Sequence, residues 1–273
     1  MEILLVQMAI ARGKPGLNRA KVTSLTSNLP APKPQKPSLL VLPELFSTGY
    51  LDAADVRAGI AEADEDRAYF ASLARRLGCW VAGATVEAGP PGMDGNAGYR
   101  NLSLLYDPEG AESAVYRKMH PFSYGGEDRL FSRGNEIVTA DIEGWVVQPT
   151  ICYDLRFPEL YRAGSQRGAH LILVQANWPE ARQSHWETLL RARAIENQAF
   201  VAGVNCTGTQ GALAYVGGSL ILSPKGEILA SGGAEEGIVR ARVDLDLCKQ
   251  WRKQFPALRD RMPWEAYGGP PRE

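Results

Sequence analysis

The sequence predicts an α/β fold, a single domain of mixed β-sheets with helices outside. Three observations predict it. Short apolar runs recur along the chain (Ile3–Val6, Ser38–Leu42, Trp145–Ile151, His170–Gln175 and Ala199–Val204), as strands buried on both faces require. Between them lie segments whose apolar residues repeat at three- and four-residue spacing, the mark of helices packed on one face. No shift of composition marks a domain boundary, and a chain of 273 residues can bury a large core without disulfides or a metal.

Ile3–Val6 opens the chain as a buried strand, and residues 17–29 follow as a helix. Pro30, Pro32, Pro34 and Pro37 crowd the next segment; each removes a backbone donor, so an exposed loop is expected. Ser38–Leu42 is a second buried strand, stopped by Pro43. Asp64–Leu77 reads as a helix with Phe70, Leu73, Ala74 and Leu77 on one stripe and Gly78 as its stop. Trp80–Val86 is a strand. Residues 102–111 and 220–229 each carry Pro-x-Gly between apolar runs, with Pro at the second and Gly at the fourth position of a type I turn. They predict two hairpins, one in each half. Trp145–Ile151, a short helix over 158–165, the strand 170–175, the helix 184–198 with Trp186, Leu189, Leu190 and Ala194 on one face, and the strand 199–204 complete the pattern. The whole chain, 1–273, is read as one domain whose polar end, 266–273, is expected to fray.

Composition excludes several functions. Lys and Arg number 30 against 31 Asp and Glu, a net charge of −1, so nothing favours a nucleic-acid partner. No apolar run approaches the ~20 residues of a membrane span. The N-terminus lacks the basic and cleavage regions of a signal peptide, so a cytoplasmic protein with reduced cysteines is expected. Cys79, Cys152, Cys206 and Cys248 form no Cys-x-x-Cys pair, and His120, His170 and His185 form no i, i+4 pair. No metal is expected. Gly-x-Ser-x-Gly, Gly-x-Gly-x-x-Gly and Walker motifs are absent.

Four residues stand out chemically. Cys152 ends one apolar strand just before a helix begins. There, unpaired N–H groups and a helix N-terminus would lower a thiol's pKa, and the Tyr153 N–H would face a developing oxyanion. The alternative is a small packing cysteine. Glu44 follows the apolar Leu39–Pro43 with no polar buffer. It is either a desolvated general base or an acid at a helix start. Lys118 closes the strand 114–118, as an edge charge or as a partner of Glu44 and Cys152. His120 is the rival base, or an ordinary loop histidine.

Leu42–Tyr50 (LPELFSTGY), Tyr116–Phe122 (YRKMHPF) and Ile151–Glu159 (ICYDLRFPE), in this order, resemble the carbon–nitrogen hydrolase (nitrilase) superfamily. The resemblance implies an α-β-β-α sandwich, with Glu44 as general base, Lys118 as stabiliser of the tetrahedral intermediate and Cys152 as nucleophile. It also implies a second glutamate at Glu127, next to Asp128. No cofactor is implied, since a thiol and a carboxylate supply nucleophile and proton relay.

The segments 176–179 (ANWP) and 192–198 (ARAIENQ) resemble the omega-amidase-like branch, which implies a small carboxylate-bearing amide such as 2-oxoglutaramate as substrate, while the resemblance to the superfamily implies a homodimer as assembly. Pro121 stands where related amidases often have Leu. Arg156 is the candidate for the substrate carboxylate, unless it pairs with Asp154 or Glu159. Tyr50, Asn177 and Trp178 are candidate pocket lining. The alternatives are a deaminated-glutathione amidase, an N-carbamoyl amide hydrolase, a nitrilase, a thiol acyltransferase and a non-catalytic binding protein.

Overall fold

The computed structural model describes residues 1–30, 36–49, 53–91, 98–263 and 266. The first half contains β1 (Glu2–Gln7), α1 (Pro15–Leu25), β2 (Ser38–Val41), α2 (Ala53–Leu77), β3 (Trp80–Gly89), β4 (Gly98–Tyr106) and β5 (Glu112–Arg117). Then come β6 (Ala140–Ile142), β7 (Trp145–Ile151), α3 (Pro158–Gln166), β8 (Leu171–Gln175), α4 (Gln183–Asn197) and β9 (Phe200–Val204). The chain continues through β10 (Thr207–Gln210), β11 (Leu213–Val216), β12 (Leu220–Leu222), β13 (Ile228–Ser231), β14 (Gly237–Arg242) and α5 (Leu245–Gln254).

Two six-stranded sheets run β14-β1-β2-β3-β4-β5 and β13-β12-β9-β8-β7-β6, and β10-β11 is a separate ribbon. Each large sheet has a parallel centre, β1-β2-β3 in one and β7-β8-β9 in the other. Antiparallel strands flank both centres. Period-two alternation sorts the side chains into layers. Ile3, Leu5, Leu39 and Val41 meet Leu171, Leu173, Phe200 and Ala202 between the sheets. Leu4, Val6, Leu40 and Leu42 turn the other way, onto Phe70, Leu73 and Ala74 of α2. Ile172, Val174 and Val201 pack against Trp186, Leu190 and Ala194 of α4 and Leu160 and Tyr161 of α3. Each such buried Val, Leu, Ile or Phe side chain contributes roughly 1.5–3 kcal/mol. The result is an α-β-β-α sandwich, as the resemblance implies.

Two strand glycines let the outer helices approach. A Cβ on Gly83 would sit 2.6 Å from the Phe70 ring, and one on Gly203 2.7 Å from Leu190. Both Pro-x-Gly turns form. Gly110 N donates to Asp107 O and Gly226 N to Ser223 O, each at 2.9 Å.

Some boundaries differ from the sequence expectation. The helix expected from Asp64 begins at Ala53, because Asp64 continues a run of helix formers instead of capping one. The helix expected to reach Leu29 ends at Leu25, where the hydroxyls of Thr26 and Ser27 bond back to Val22 O and Ser24 O. The β6–β7 hairpin was not anticipated. Its turn, Glu143 (φ 50°) and Gly144 (φ 86°), has the two left-handed residues of a two-residue hairpin loop. Among the described residues no helix is long and apolar enough to cross a membrane. The expected frayed end lies, apart from Ala266, outside the described residues.

Candidate active site

Strand ends from both sheets converge on one region, where α/β folds gather ligands. Glu44 follows β2, Lys118 follows β5, Cys152 follows β7, and Asn177 and Trp178 follow β8. Local structure at two of these points is strained. Cys152 (φ 46°) and Leu45 (φ 44°), the residue after Glu44, both occupy the left-handed region that L-residues avoid.

The surroundings hold each strained point in place. Asp154 is fully buried, and its Oδ2 accepts from Ile151 N (3.0 Å) and the Tyr116 hydroxyl (2.7 Å). Its Oδ1 accepts from His120 N (3.1 Å) and lies 2.8 Å from His120 Nδ1. The elbow at Cys152 is thereby tied to both sides of Lys118. On the other side, Gly49 N donates to Leu45 O at 2.7 Å, and the Ser47 hydroxyl to buried Asp66 at 2.6 Å.

Lys118 sits between two carboxylates. Its Nζ is 2.7 Å from Glu44 Oε1 and 2.9 and 2.8 Å from Glu127 Oε1 and Oε2. The side chains of Lys118, Glu44 and Glu127 are no more than 1% exposed. Asn101 Nδ2 donates to Glu44 Oε1 (2.8 Å) and Glu127 Oε1 (3.2 Å). Asn177 N donates to Glu44 Oε2 at 3.1 Å, and Phe122 N to Glu127 Oε2 at 2.6 Å. One ammonium cannot neutralise two buried carboxylates. Burial therefore pushes the Glu127 carboxyl above its ordinary range; Lys118 opposes the rise and Glu44 adds to it. Asp128 stays partly exposed, so Glu127 is the acid that reaches the cluster.

The Cys152 thiol donates to Asn177 O at 3.8 Å, and the Glu44 charge acts on it. Its pKa is raised, where the strand-end position predicts a fall. Burial is the largest cause and the Glu44 charge the next, against a smaller opposing pull from Lys118. The helical turn that starts at Cys152 is only a short 3-10 segment, too small a dipole to offset burial. Burial thus favours the neutral thiol over the thiolate, with the Glu44 carboxyl group among its neighbours.

Above this cluster opens a cavity of about 230 Å³. Lys118, Cys152, Tyr153, Arg156, Asn177 and Trp178 line it, with Phe122, Tyr124, Arg182 and Tyr215. Tyr50 lies outside the described residues. Arg156 makes neither of the ion pairs considered above, because hydrogen bonds and His120 already surround the Asp154 carboxylate. Its guanidinium carbon instead lies 4.8 Å from the Trp178 ring centre, and Arg182's lies 5.4 Å from that of Tyr124. Among the described residues neither arginine meets a carboxylate. His120 is held by Asp154, stacks on Phe157 at 3.8 Å and does not line the cavity.

Sequence reasoning missed Asn101, Arg182, Gln210 and Tyr215. Gln210 Nε2 donates to Asn177 Oδ1 at 3.2 Å. The signal for Asn101 was an amide at the mouth of the apolar run 102–105; the others carry no local signal. Among the described residues no group of three His, Cys, Asp or Glu side chains is arranged to hold a metal ion.

The carbon-nitrogen hydrolase family model matches residues 4–253. This chain belongs to the carbon-nitrogen hydrolase family. It is 38% identical over 255 residues to the 2-oxoglutaramate amidase of Bacillus subtilis, covering 93% of this chain and 95% of the relative. It is 34% identical to omega-amidase YafV of Escherichia coli, over 81% of this chain and 83% of that one. Among solved structures, a CN-hydrolase superfamily protein of Xanthomonas campestris with an arsenic adduct in its active site superposes with a TM-score of 0.87 at 32% identity. That match covers 96% of this chain and 97% of the other.

Proposed function

We propose that the protein hydrolyses the C–N bond of small carboxylate-bearing amides, with 2-oxoglutaramate as the leading substrate, through a Cys152 thioester. One observation carries the reading: a buried thiol shares Glu44 and Lys118 at the floor of a small cavity whose wall holds two arginines that, among the described residues, meet no carboxylate. Glu44 takes the thiol proton as sulfur attacks the amide carbon. A raised thiol pKa makes that base necessary, since little thiolate exists beforehand. Lys118 and the Tyr153 N–H hold the oxyanion; one fixed donor of this kind is worth about 3 kcal/mol. Glu44 passes the proton to the departing nitrogen, and ammonia leaves. Water, deprotonated by Glu44, then attacks the thioester, releasing the acid and returning the thiol.

Glu127 acts on this reading as a positioning residue, since its carboxylate orients Lys118 from the side opposite Glu44. Arg156 binds the substrate carboxylate, with Arg182 beside it, and Asn177 and Trp178 shape the pocket. The named relatives support the substrate class. The chain works as one domain, a cytoplasmic homodimer that acts on free small molecules and not on nucleic acid or membranes. The resemblance supports the dimer, and four cysteines outside any disulfide fit the location.

Ammonia release from 2-oxoglutaramate, a simple nitrile and an N-carbamoyl amino acid, measured side by side, tests the reading. Turnover is expected with the first. Fast nitrile turnover without amide turnover would reject it.

A further inference from the structure

Asn101 lies on β4, is 1% exposed and is not among the residues that line the cavity. Its side chain ends in an amide with two N–H groups and one oxygen. Nδ2 donates to Glu44 Oε1 at 2.8 Å and to Glu127 Oε1 at 3.2 Å. The same two oxygens receive the Lys118 ammonium, at 2.7 and 2.9 Å. The main-chain oxygen of Asn101 accepts from Lys118 N at 2.9 Å. One neutral residue therefore touches Glu44, Glu127 and Lys118 alike.

Chemistry fixes which way the amide faces. Its Oδ1 is buried and has no hydrogen-bond partner. Turning the amide over would aim that oxygen at two carboxylates, which are acceptors themselves. The site leaves one polar atom unsatisfied, which folded proteins rarely do, and keeps both N–H groups on the carboxylates. A second cation in that place would neutralise the pair and weaken Glu44 as a base. A neutral double donor holds both carboxylates and adds no charge.

Glu44 is thereby held by both oxygens. Oε1 meets Asn101 and Lys118, while Oε2 accepts from Asn177 N at 3.1 Å. Asn177 also accepts the Cys152 thiol on its main-chain oxygen, at 3.8 Å. We propose that Asn101 is a positioning residue for the base: it pins Glu44 by Oε1, so that Oε2 is the oxygen that takes the thiol proton. The inference rests on Glu44 as the base of the proposed amidase and adds the residue that aims it.

Asn101→Leu removes both donors at similar size. With 2-oxoglutaramate, kcat per folded molecule is expected to fall about tenfold or more, the worth of one hydrogen bond to a charged group, while KM stays within about twofold. The second readout needs no substrate. It is the rate at which iodoacetamide alkylates Cys152 near neutral pH, followed by the mass of the Cys152 peptide. Sulfur displaces iodide as its proton passes to Glu44, so this rate reads the base, and it is expected to slow by a similar factor.

Alkylation at the wild-type rate in a folded variant would overturn the inference, whatever the melting midpoint, and leave the amidase reading standing. So would a raised KM with kcat unchanged. A wild-type protein inert towards 2-oxoglutaramate would reject the amidase reading, while alkylation would still decide the role of Asn101. Asn101→Asp, of the same shape with at most one hydrogen to give, carries the same expectations and decides the matter if the first variant does not fold.

Discussion

Arg117 and Lys118 are neighbours in the chain and meet carboxylates in opposite surroundings. Arg117 joins Arg100 and Arg67 around Glu87, with N–O distances of 2.5, 3.6 and 4.0 Å and side chains 23–38% exposed. Lys118 is fixed between Glu44 and Glu127 with every partner at most 1% exposed. Strand alternation sends the two cations to opposite faces. Solvent screens the Glu87 cluster, and each such exposed pair is worth about 0–1 kcal/mol. The buried cluster has no solvent to share its charge, so its three groups depend on one another. Adjacent residues with the same sign of charge thus differ in function because one is dry.

Four experiments break or sharpen that contrast, from the largest effect to the smallest. Cys152→Ala is expected to abolish ammonia release while the melting curve stays cooperative; a folded, active variant would remove the thiol from the mechanism. Lys118→Met is expected to lose turnover and to destabilise the fold by about 3–5 kcal/mol in urea titration, because two buried carboxylates lose their cation. A loss comparable to that of a surface pair would erase the contrast.

The third experiment is a pH titration of stability. Burial raises the Glu127 carboxyl above its reference of 4.5, so the folded protein keeps a proton that the unfolded chain has already released. Stability therefore falls as pH rises from about 4.5 towards the folded value. Glu127→Gln has no proton to release, and its curve should be flatter over that window; an unchanged slope would place the titration on another group. The smallest effect belongs to Arg117→Met, expected to cost no more than about 1 kcal/mol and to leave turnover unchanged. A larger loss would show the Glu87 cluster to be cooperative.

Much of the architecture was legible in residue order. The apolar runs at β1, β2, β7, β8 and β9, and the two Pro-x-Gly turns, are local signals read by local rules. Glu44, Lys118 and Cys152 were visible as polar groups stranded at the ends of apolar strands, and the family motifs around them sharpened the choice. The start of α2 was not legible, because Asp64 suits a helix interior as well as a cap. Arg182 and Tyr215 were not legible either, since a guanidinium and a phenol on outwardly ordinary segments look the same wherever they point.

The direction of the Cys152 pKa shows the limit most clearly. Its position at a strand end argued for a lowered value, while its surroundings raise it. By itself the sequence determined the strands and helices, the sharp turns and the identity of the reactive groups, because periodicity, turn chemistry and residue type act over a few neighbours. Only the tertiary structure decided which charges are dry and which carboxylate acts on the thiol. Those properties depend on desolvation and distance between segments remote in the chain, and no local pattern encodes either.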